Sequence, residues 1–187
     1  MAFIVKSVEI PNRISLPYVE HGDPSGNIPI LLLHGVTDSW HSFERVLPYL
    51  PQTVQAFALT QRGHGDADRP ATGYRTRDFA ADMAGFAHTL GLGPAVIVGH
   101  SMGSTKALRF AIDYRELTLG LVLVGSFASY RKNPVVVEFW ESAVSQLADP
   151  IDQGFVRKFQ ESTLAQPVPQ AFLDTIIRES LKVPARV

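Results

Sequence analysis

Short apolar runs of the kind found in β-strands recur along the first two thirds of the chain. Such segments lie at residues 3–10, 18–20, 30–33, 53–59, 95–98 and 119–124. The runs at 30–33, 95–98 and 119–124 have little polar alternation, which is typical of strands buried on both faces of a parallel sheet. We therefore expect strands at these positions.

Two amphipathic stripes between the runs predict helices. The first stripe, spaced by three and four residues, comprises Phe79, Met83, Phe86 and Leu90, and Gly91 is placed to end it. The second runs from Ser101 to about Tyr114, and its inward residues are expected to be Leu108, Ala111 and Ile112. Alternation of strands and helices predicts an α/β fold, a mostly parallel sheet with helices on both faces.

The pattern changes after Ser129. Asn133-Pro134 is a helix N-cap followed by proline at the first helical position, and further helices are predicted at 152–164 and 169–182. The apolar stripe of the helix that begins at Asn133 comprises Val137, Trp140, Val144 and Leu147. Three helices without a strand between them do not extend a parallel sheet, so they indicate a helical cap.

We accordingly expect two parts, a core over residues 1–129 and an incomplete cap over residues 130–187. The 187 residues are 45% hydrophobic, enough for one sizeable core. With 17 Lys and Arg against 18 Asp and Glu, the charge gives no sign of binding to nucleic acid or acidic membranes. No apolar run approaches the ~20 residues of a membrane helix, so we expect a soluble, cytoplasmic protein.

The pentapeptide Gly99-His100-Ser101-Met102-Gly103 follows an apolar run and opens a helical stripe. This is the nucleophile-elbow arrangement, in which a tight strand-to-helix turn presents a serine hydroxyl clear of the backbone. Helix N-termini favour negative charge, so the N–H of Met102 is expected to be one donor of an oxyanion hole. The segment predicts a nucleophilic serine, with positive φ at Ser101.

Two further motifs precede the elbow, Leu31-Leu32-Leu33-His34-Gly35 and Arg62-Gly63-His64-Gly65. Together with the elbow, the three motifs resemble the α/β-hydrolase superfamily, especially its serine-esterase-like and cofactor-free haloperoxidase-like members with a helical cap. The resemblance runs from about Val19 to Val187. It implies Ser101 as nucleophile, the N–H of Val36 as second oxyanion-hole donor, and neither cofactor nor metal.

The resemblance also implies a catalytic acid and a histidine on strands that follow the cap. No histidine occurs after Ser101, so we expect the chain to lack the usual acid and base and to be a truncated member. Thr60 stands where an aspartate often precedes the Arg62 motif, and we expect little consequence from this difference.

Several residues near the motifs are open to two interpretations. His34 and Gly35 carry the oxyanion loop, and His34 and His100 are expected to be mainly structural, with His64 a weaker candidate for a substitute base. Four aromatic residues are equally compatible with core packing and with the lining of a substrate pocket: Trp40, Phe43, Phe127 and Trp140. The remaining histidines, His21, His41 and His88, are expected at the surface or in loops.

Three functional hypotheses remain. The first is a serine hydrolase that acts on small-molecule carboxylic esters through an acyl-enzyme at Ser101. The second has the same substrate class but treats the chain as a fragment that needs a complementing piece or a second copy. The third is a catalytically inactive module that binds a small apolar ligand.

The run at 119–124 is also expected to form an open edge, because the strand that flanks it in the family is missing here. It contains neither charge nor proline to discourage pairing. We therefore expect self-association, or association with a complementing C-terminal fragment.

Overall fold

The computed structural model describes residues 3–23, 28–126 and 132–187. The strands are β1 (Lys6–Glu9), β2 (Ser15–His21), β3 (Pro29–Leu33), β4 (Gln55–Leu59), β5 (Ala95–His100) and β6 (Thr118–Val124). The α-helices are α1 (Thr76–Thr89), α2 (Met102–Asp113), α3 (Pro134–Ser142), α4 (Gln153–Ser162) and α5 (Gln170–Ser180). Every strand and helix predicted in the described ranges is present, with shifted ends.

The six strands form one sheet in the order β1-β2-β4-β3-β5-β6. The pairs β4–β3, β3–β5 and β5–β6 are parallel, whereas β1–β2 and β2–β4 are antiparallel. The predicted mostly parallel sheet is therefore confirmed. Because β3 and β5 are neighbours in the centre, the segments that follow them meet at the same edge of the sheet.

Both faces of the sheet are covered. On one face, α1 and α2 pack over a core that includes Phe57, Phe86 and Phe110. On the other face, a smaller core gathers around the 3₁₀ helix Trp40–Phe43 and Leu47. Burial of these large apolar side chains stabilises the fold by an estimated 1.5–3 kcal/mol each.

The predicted inward face of α2 is wrong. Gly103, Ala107 and Phe110 are buried, whereas Leu108 and Ala111 are only partly buried and Ile112 is 69% exposed. The elbow packs Gly103 against the carbonyl groups that end β3, and this close approach sets the rotation of the whole helix. Ile112 follows Gly103 by nine residues, which at ~100° per residue places it on the opposite side.

The prediction that strand β6 is buried on both faces is wrong. Among the described strands it pairs with β5 alone, and its large apolar residues are exposed, from 36% for Leu121 to 57% for Leu119. A strand at the end of a sheet has one neighbouring strand instead of two. Fewer side chains therefore pack against its own, which stay in contact with solvent. No described strand pairs with the other edge of β6, as expected.

Another correction concerns His21, which was expected at the surface or in a loop. It is the last residue of β2, is buried, and its Nε2 lies 3.0 Å from the carbonyl oxygen of Leu50. His41 in the 3₁₀ helix is partly buried, and His88 on α1 is exposed.

Helices α3, α4 and α5 follow β6, and no described residue after β6 belongs to a strand. Asn133 caps α3 by accepting hydrogen bonds from the N–H groups of Val135 and Val136, as predicted. Helices α4 and α5 pack on each other through a separate apolar cluster that includes Val156, Ile176 and Ile177. The division into core and cap remains a prediction, and Ser129 lies outside the described residues. No helix in the described ranges is long and apolar enough to cross a membrane.

Candidate active site

Ser101 stands at the turn between β5 and α2 with φ 50° and ψ −119°. The predicted positive φ is confirmed. Serine rarely adopts this region, which costs free energy and is typical of residues held in place for a function. A hydrogen bond to β6 helps to hold this strained conformation. The Ser101 N–H donates to the Val124 carbonyl at 2.8 Å.

The glycines on either side of Ser101 are required by close packing. A Cβ on Gly99 would stand 2.6 Å from the Cα of Ser104, and one on Gly103 would stand 2.7 Å from the His34 carbonyl oxygen. Real Cβ atoms essentially never approach other atoms closer than 3.0 Å. These two glycines therefore let strand and helix meet closely enough to expose the serine.

The two predicted oxyanion-hole amides are free of backbone partners. Between described residues, neither the N–H of Val36 nor that of Met102 donates to a backbone carbonyl. Val36 is 41% exposed, and Met102 is the first residue of α2, where the helix dipole favours an anion. Backbone N–H groups without a backbone acceptor can stabilise a developing oxyanion, so the role predicted for these two amides stays a prediction.

His34 fixes the loop that carries Val36. Its Nε2 accepts the Gln61 N–H at 3.0 Å, so its Nδ1 carries the proton and donates to the Gly35 carbonyl at 2.8 Å. The Gln61 side chain in turn donates to the His34 carbonyl at 3.0 Å. Complete burial, together with neighbouring His64, holds the pKa of His34 well below its usual range. This neutral histidine is a structural anchor.

His64 lies in the same buried layer and is poorly suited to act as a base. Its ring centroid is 5.0 Å from that of His34, and its Nδ1 donates to the Arg62 carbonyl at 2.9 Å. Burial, with the charge of Lys106 nearby, lowers the pKa of His64 to about 3. A base with this pKa stays unprotonated at neutral pH and binds a serine proton weakly.

The Arg62 motif is anchored by a buried ion pair. The Arg62 Nε donates to Asp82 Oδ2 at 2.5 Å, and its Nη2 donates to the other carboxylate oxygen. Close by, the buried Lys106 Nζ lies 3.2 Å from the Phe79 ring centroid. Thr60, which replaces the aspartate of the resemblance, accepts the N–H of Trp40 at 3.2 Å. These groups stabilise the layer beneath the oxyanion loop.

A point beside Gly35 brings three functional groups together. A Cβ at Gly35 would stand 3.3 Å from His100 Nδ1, 3.4 Å from Asp38 Oδ2 and 3.4 Å from Ser101 Cβ. Burial raises the pKa of Asp38, an effect that hydrogen bonds from Gln160 and Ser42 and the nearby His100 oppose. A carboxyl group, an imidazole and the side chain of Ser101 therefore pack closely around Gly35.

Sequence reasoning missed Asp38. The only available signal was its place three residues beyond Gly35 in the oxyanion loop, because the contacts that bury it come from distant parts of the chain. His100, by contrast, was expected to be structural, and its half-buried ring lies between Gly35 and Gly125.

The aromatic residues considered for the pocket lie in different surroundings. Trp40 and Phe43 are each 7% exposed and pack in the core on the second face of the sheet. Trp140, on α3, is 58% exposed, and Phe127 lies outside the described residues. Their role in a substrate pocket remains a prediction.

No base for Ser101 is evident within the described ranges. No hydrogen bond there joins the Ser101 hydroxyl to a histidine. A serine hydroxyl is a weak nucleophile until a base accepts its proton. Within the described residues, Ser101 therefore stands in an elbow geometry without a hydrogen-bonded histidine, and its role as nucleophile remains a prediction.

Comparison with known proteins agrees with the fold. A family model described as alpha/beta hydrolase fold matches residues 28–171. A 2-(acetamidomethylene)succinate hydrolase from Mesorhizobium japonicum is 35% identical over 93% of this chain, which spans 59% of that relative. A soluble epoxide hydrolase from a Corynebacterium species is 33% identical over a segment that covers 60% of this chain and 38% of the epoxide hydrolase. In structure, an esterase from Exiguobacterium antarcticum matches with a TM-score of 0.77 and 20% identity, over 97% of this chain and 69% of the esterase.

Proposed function

Because the chain belongs to the α/β-hydrolase family, a family of enzymes, we propose that it carries the nucleophile and oxyanion hole of a serine hydrolase acting on carboxylic esters. The observation that carries this proposal is the strained φ of 50° at Ser101, between a tightly packed strand and the start of a helix. The N–H groups of Val36 and Met102 support it, since neither donates to a backbone carbonyl of a described residue.

In the proposed reaction, the Ser101 oxygen attacks the ester carbonyl carbon while a base accepts the hydroxyl proton. The carbonyl oxygen becomes an oxyanion that the N–H groups of Val36 and Met102 stabilise. Collapse of this intermediate breaks the bond to the alkoxy oxygen, which leaves as the alcohol after taking up a proton. Water then attacks the acyl-enzyme and releases the carboxylic acid.

The identity of the nucleophile favours acyl transfer over epoxide opening. Epoxide hydrolases that resemble this scaffold attack with a carboxylate, whereas this elbow carries serine at position 101. The Mesorhizobium japonicum relative is named for a substrate with an acetamido group, so an acyl bond to nitrogen is a second candidate for the scissile bond. Both candidates require the same serine and the same oxyanion hole.

Incubation with p-nitrophenyl acetate is expected to place a single acetyl group on Ser101, detectable by intact-mass and peptide mass spectrometry. Hydrolysis by this chain alone should be slow, because no described histidine is hydrogen-bonded to Ser101. Enzymes without a complete triad retain a residual acceleration of about 10³–10⁴ from binding and the oxyanion hole.

The Ser101→Ala variant is the control for this experiment and should gain no acetyl group. Acetylation elsewhere, or equal labelling of the variant, would contradict the proposed nucleophile. Saturable ligand binding without any acylation would favour the inactive binding module. Turnover at an ordinary esterase rate that disappears in Ser101→Ala would show that the chain contains a base.

We further propose that the open edge of β6 pairs with the same edge of a second copy. The strand Thr118–Val124 contains no charged residue and no proline, and both of its faces present exposed apolar side chains. An unpaired strand edge offers a row of backbone donors and acceptors for augmentation. Two identical edges can satisfy each other around a two-fold axis.

Light scattering after size-exclusion chromatography tests this pairing. The chain is expected to elute above the mass of its 20.5 kDa monomer, and a Leu119→Lys/Val124→Lys variant should shift towards the monomer because two charges would desolvate at the interface. Val135→Lys, at a residue 71% exposed on α3, is the matched control and should leave the mass unchanged. A monodisperse monomer of the unaltered chain contradicts the proposal.

A further inference from the structure

Thr37, next to the proposed oxyanion donor Val36, has a strained backbone. Its φ is 62°, in the left-handed region that β-branched residues rarely enter. Such a conformation persists only where surrounding contacts hold it. The path of the backbone through Val36 and Thr37 therefore depends on what Thr37 and its neighbour Asp38 contact.

Those contacts come from the helices that follow β6. The Nε2 of Gln160, on α4, lies 3.3 Å from Thr37 Oγ1 and 3.1 Å from Asp38 Oδ1. The same nitrogen donates to Ser180 Oγ, on α5, at 2.7 Å, and Ser180 Oγ is itself 3.3 Å from Thr37 Oγ1. Gln160 and Ser180 are 3% and 0% exposed, so water does not substitute for these bonds.

The other oxygen of Asp38 lies beside Gly35, as do Ser101 and His100. A single buried amide thus contacts both the strained residue Thr37 and the carboxyl group beside Gly35. Loss of the Gln160 amide would remove one hydrogen-bond donor from each of Thr37 and Asp38, which costs stability at this position.

We propose that Gln160 is a positioning residue that holds the Thr37–Asp38 turn in its strained form and thereby directs the Val36 N–H at the oxyanion. This inference rests on the proposed function. Because α4 and α5 share an apolar cluster, a shift of these helices would also move Gln160 and Ser180. Packing of the helices is in this way coupled to the oxyanion hole.

The test is the rate of Ser101 acetylation by p-nitrophenyl acetate, followed by intact mass. Gln160→Leu should slow acetylation by about 10- to 100-fold, since complete loss of an oxyanion donor costs about 10²–10³. The matched control is Gln170→Leu on α5, where the exposed Gln170 amide donates to Asp174 Oδ1 at 2.8 Å. This control should acetylate at the rate of the unaltered chain.

A rescue experiment separates positioning from general stability. Glycine adopts positive φ without strain, so a Thr37→Gly chain has less need of the Gln160 amide. Adding Gln160→Leu to Thr37→Gly should therefore slow acetylation by less than about threefold. If Gln160 acts only through stability, its effect should be the same in both backgrounds.

If Gln160→Leu does not fold, Ser180→Ala replaces it in the same double-variant comparison. An unchanged acetylation rate in a folded Gln160→Leu protein, or an equal effect with and without Thr37→Gly, overturns the positioning role. Ser101→Ala runs in parallel, because acetylation that survives this substitution contradicts the proposed function itself. The two failures are thus distinguishable.

Discussion

Replacing Gly103 with alanine is expected to abolish the folded state or to destabilise it by about 4 kcal/mol or more. The new Cβ would overlap the carbonyl oxygen of Leu33 and would stand 2.7 Å from that of His34. Both oxygens belong to backbone at the end of a central strand, so neither can rotate away. Relief would require the whole of α2 to move off the sheet.

Urea denaturation followed by circular dichroism measures this effect, with soluble yield as the readout if the variant does not accumulate. Gly93→Ala is the matched control, because a Cβ there meets no atom within 4 Å and the backbone does not have positive φ. That substitution should change stability by no more than about 1 kcal/mol, in the stabilising direction. A Gly103→Ala protein with the stability of the Gly93→Ala protein would show that the elbow is not closely packed.

Local sequence signals predicted the elbow because its determinants lie within one short segment. Gly99 and Gly103 permit close approach, the apolar run forms β5, and the helix begins directly after Ser101. The capping of α3 by Asn133 was predictable for the same reason. Where a feature depends on residues adjacent in sequence, the pattern alone identifies it.

Features set by distant contacts were not predicted. The rotation of α2, which leaves Ile112 exposed, depends on how Gly103 meets the end of β3 rather than on the apolar stripe of the helix. Asp38 and Gln160 are separated by 122 residues, and no motif connects them. Their hydrogen bond exists only because α4 packs against the loop after β3.

Acidification is expected to destabilise the fold well above the pH at which most carboxylates titrate. Folding buries His34 and His64 in their neutral forms, with the pKa of His64 lowered to about 3 and that of His34 also well below its usual range. In the unfolded chain both imidazoles titrate near the ordinary histidine pKa of about 6.5. Below this pH the unfolded state therefore binds more protons than the folded state.

Proton linkage gives the direction of the effect. The free energy of unfolding falls as pH decreases wherever the unfolded state binds more protons than the folded state. From pH 7.5 to 5.0 the two histidines together should remove up to about 4 kcal/mol, measured by urea denaturation. The raised pKa of Asp38 acts in the opposite sense, since the folded state then holds its proton more tightly.

His64→Asn, whose amide can still donate to the Arg62 carbonyl, should remove about half of the pH dependence, whereas His88→Asn at an exposed position should leave it unchanged. Equal slopes for all three proteins would mean that the buried histidine layer does not control acid stability.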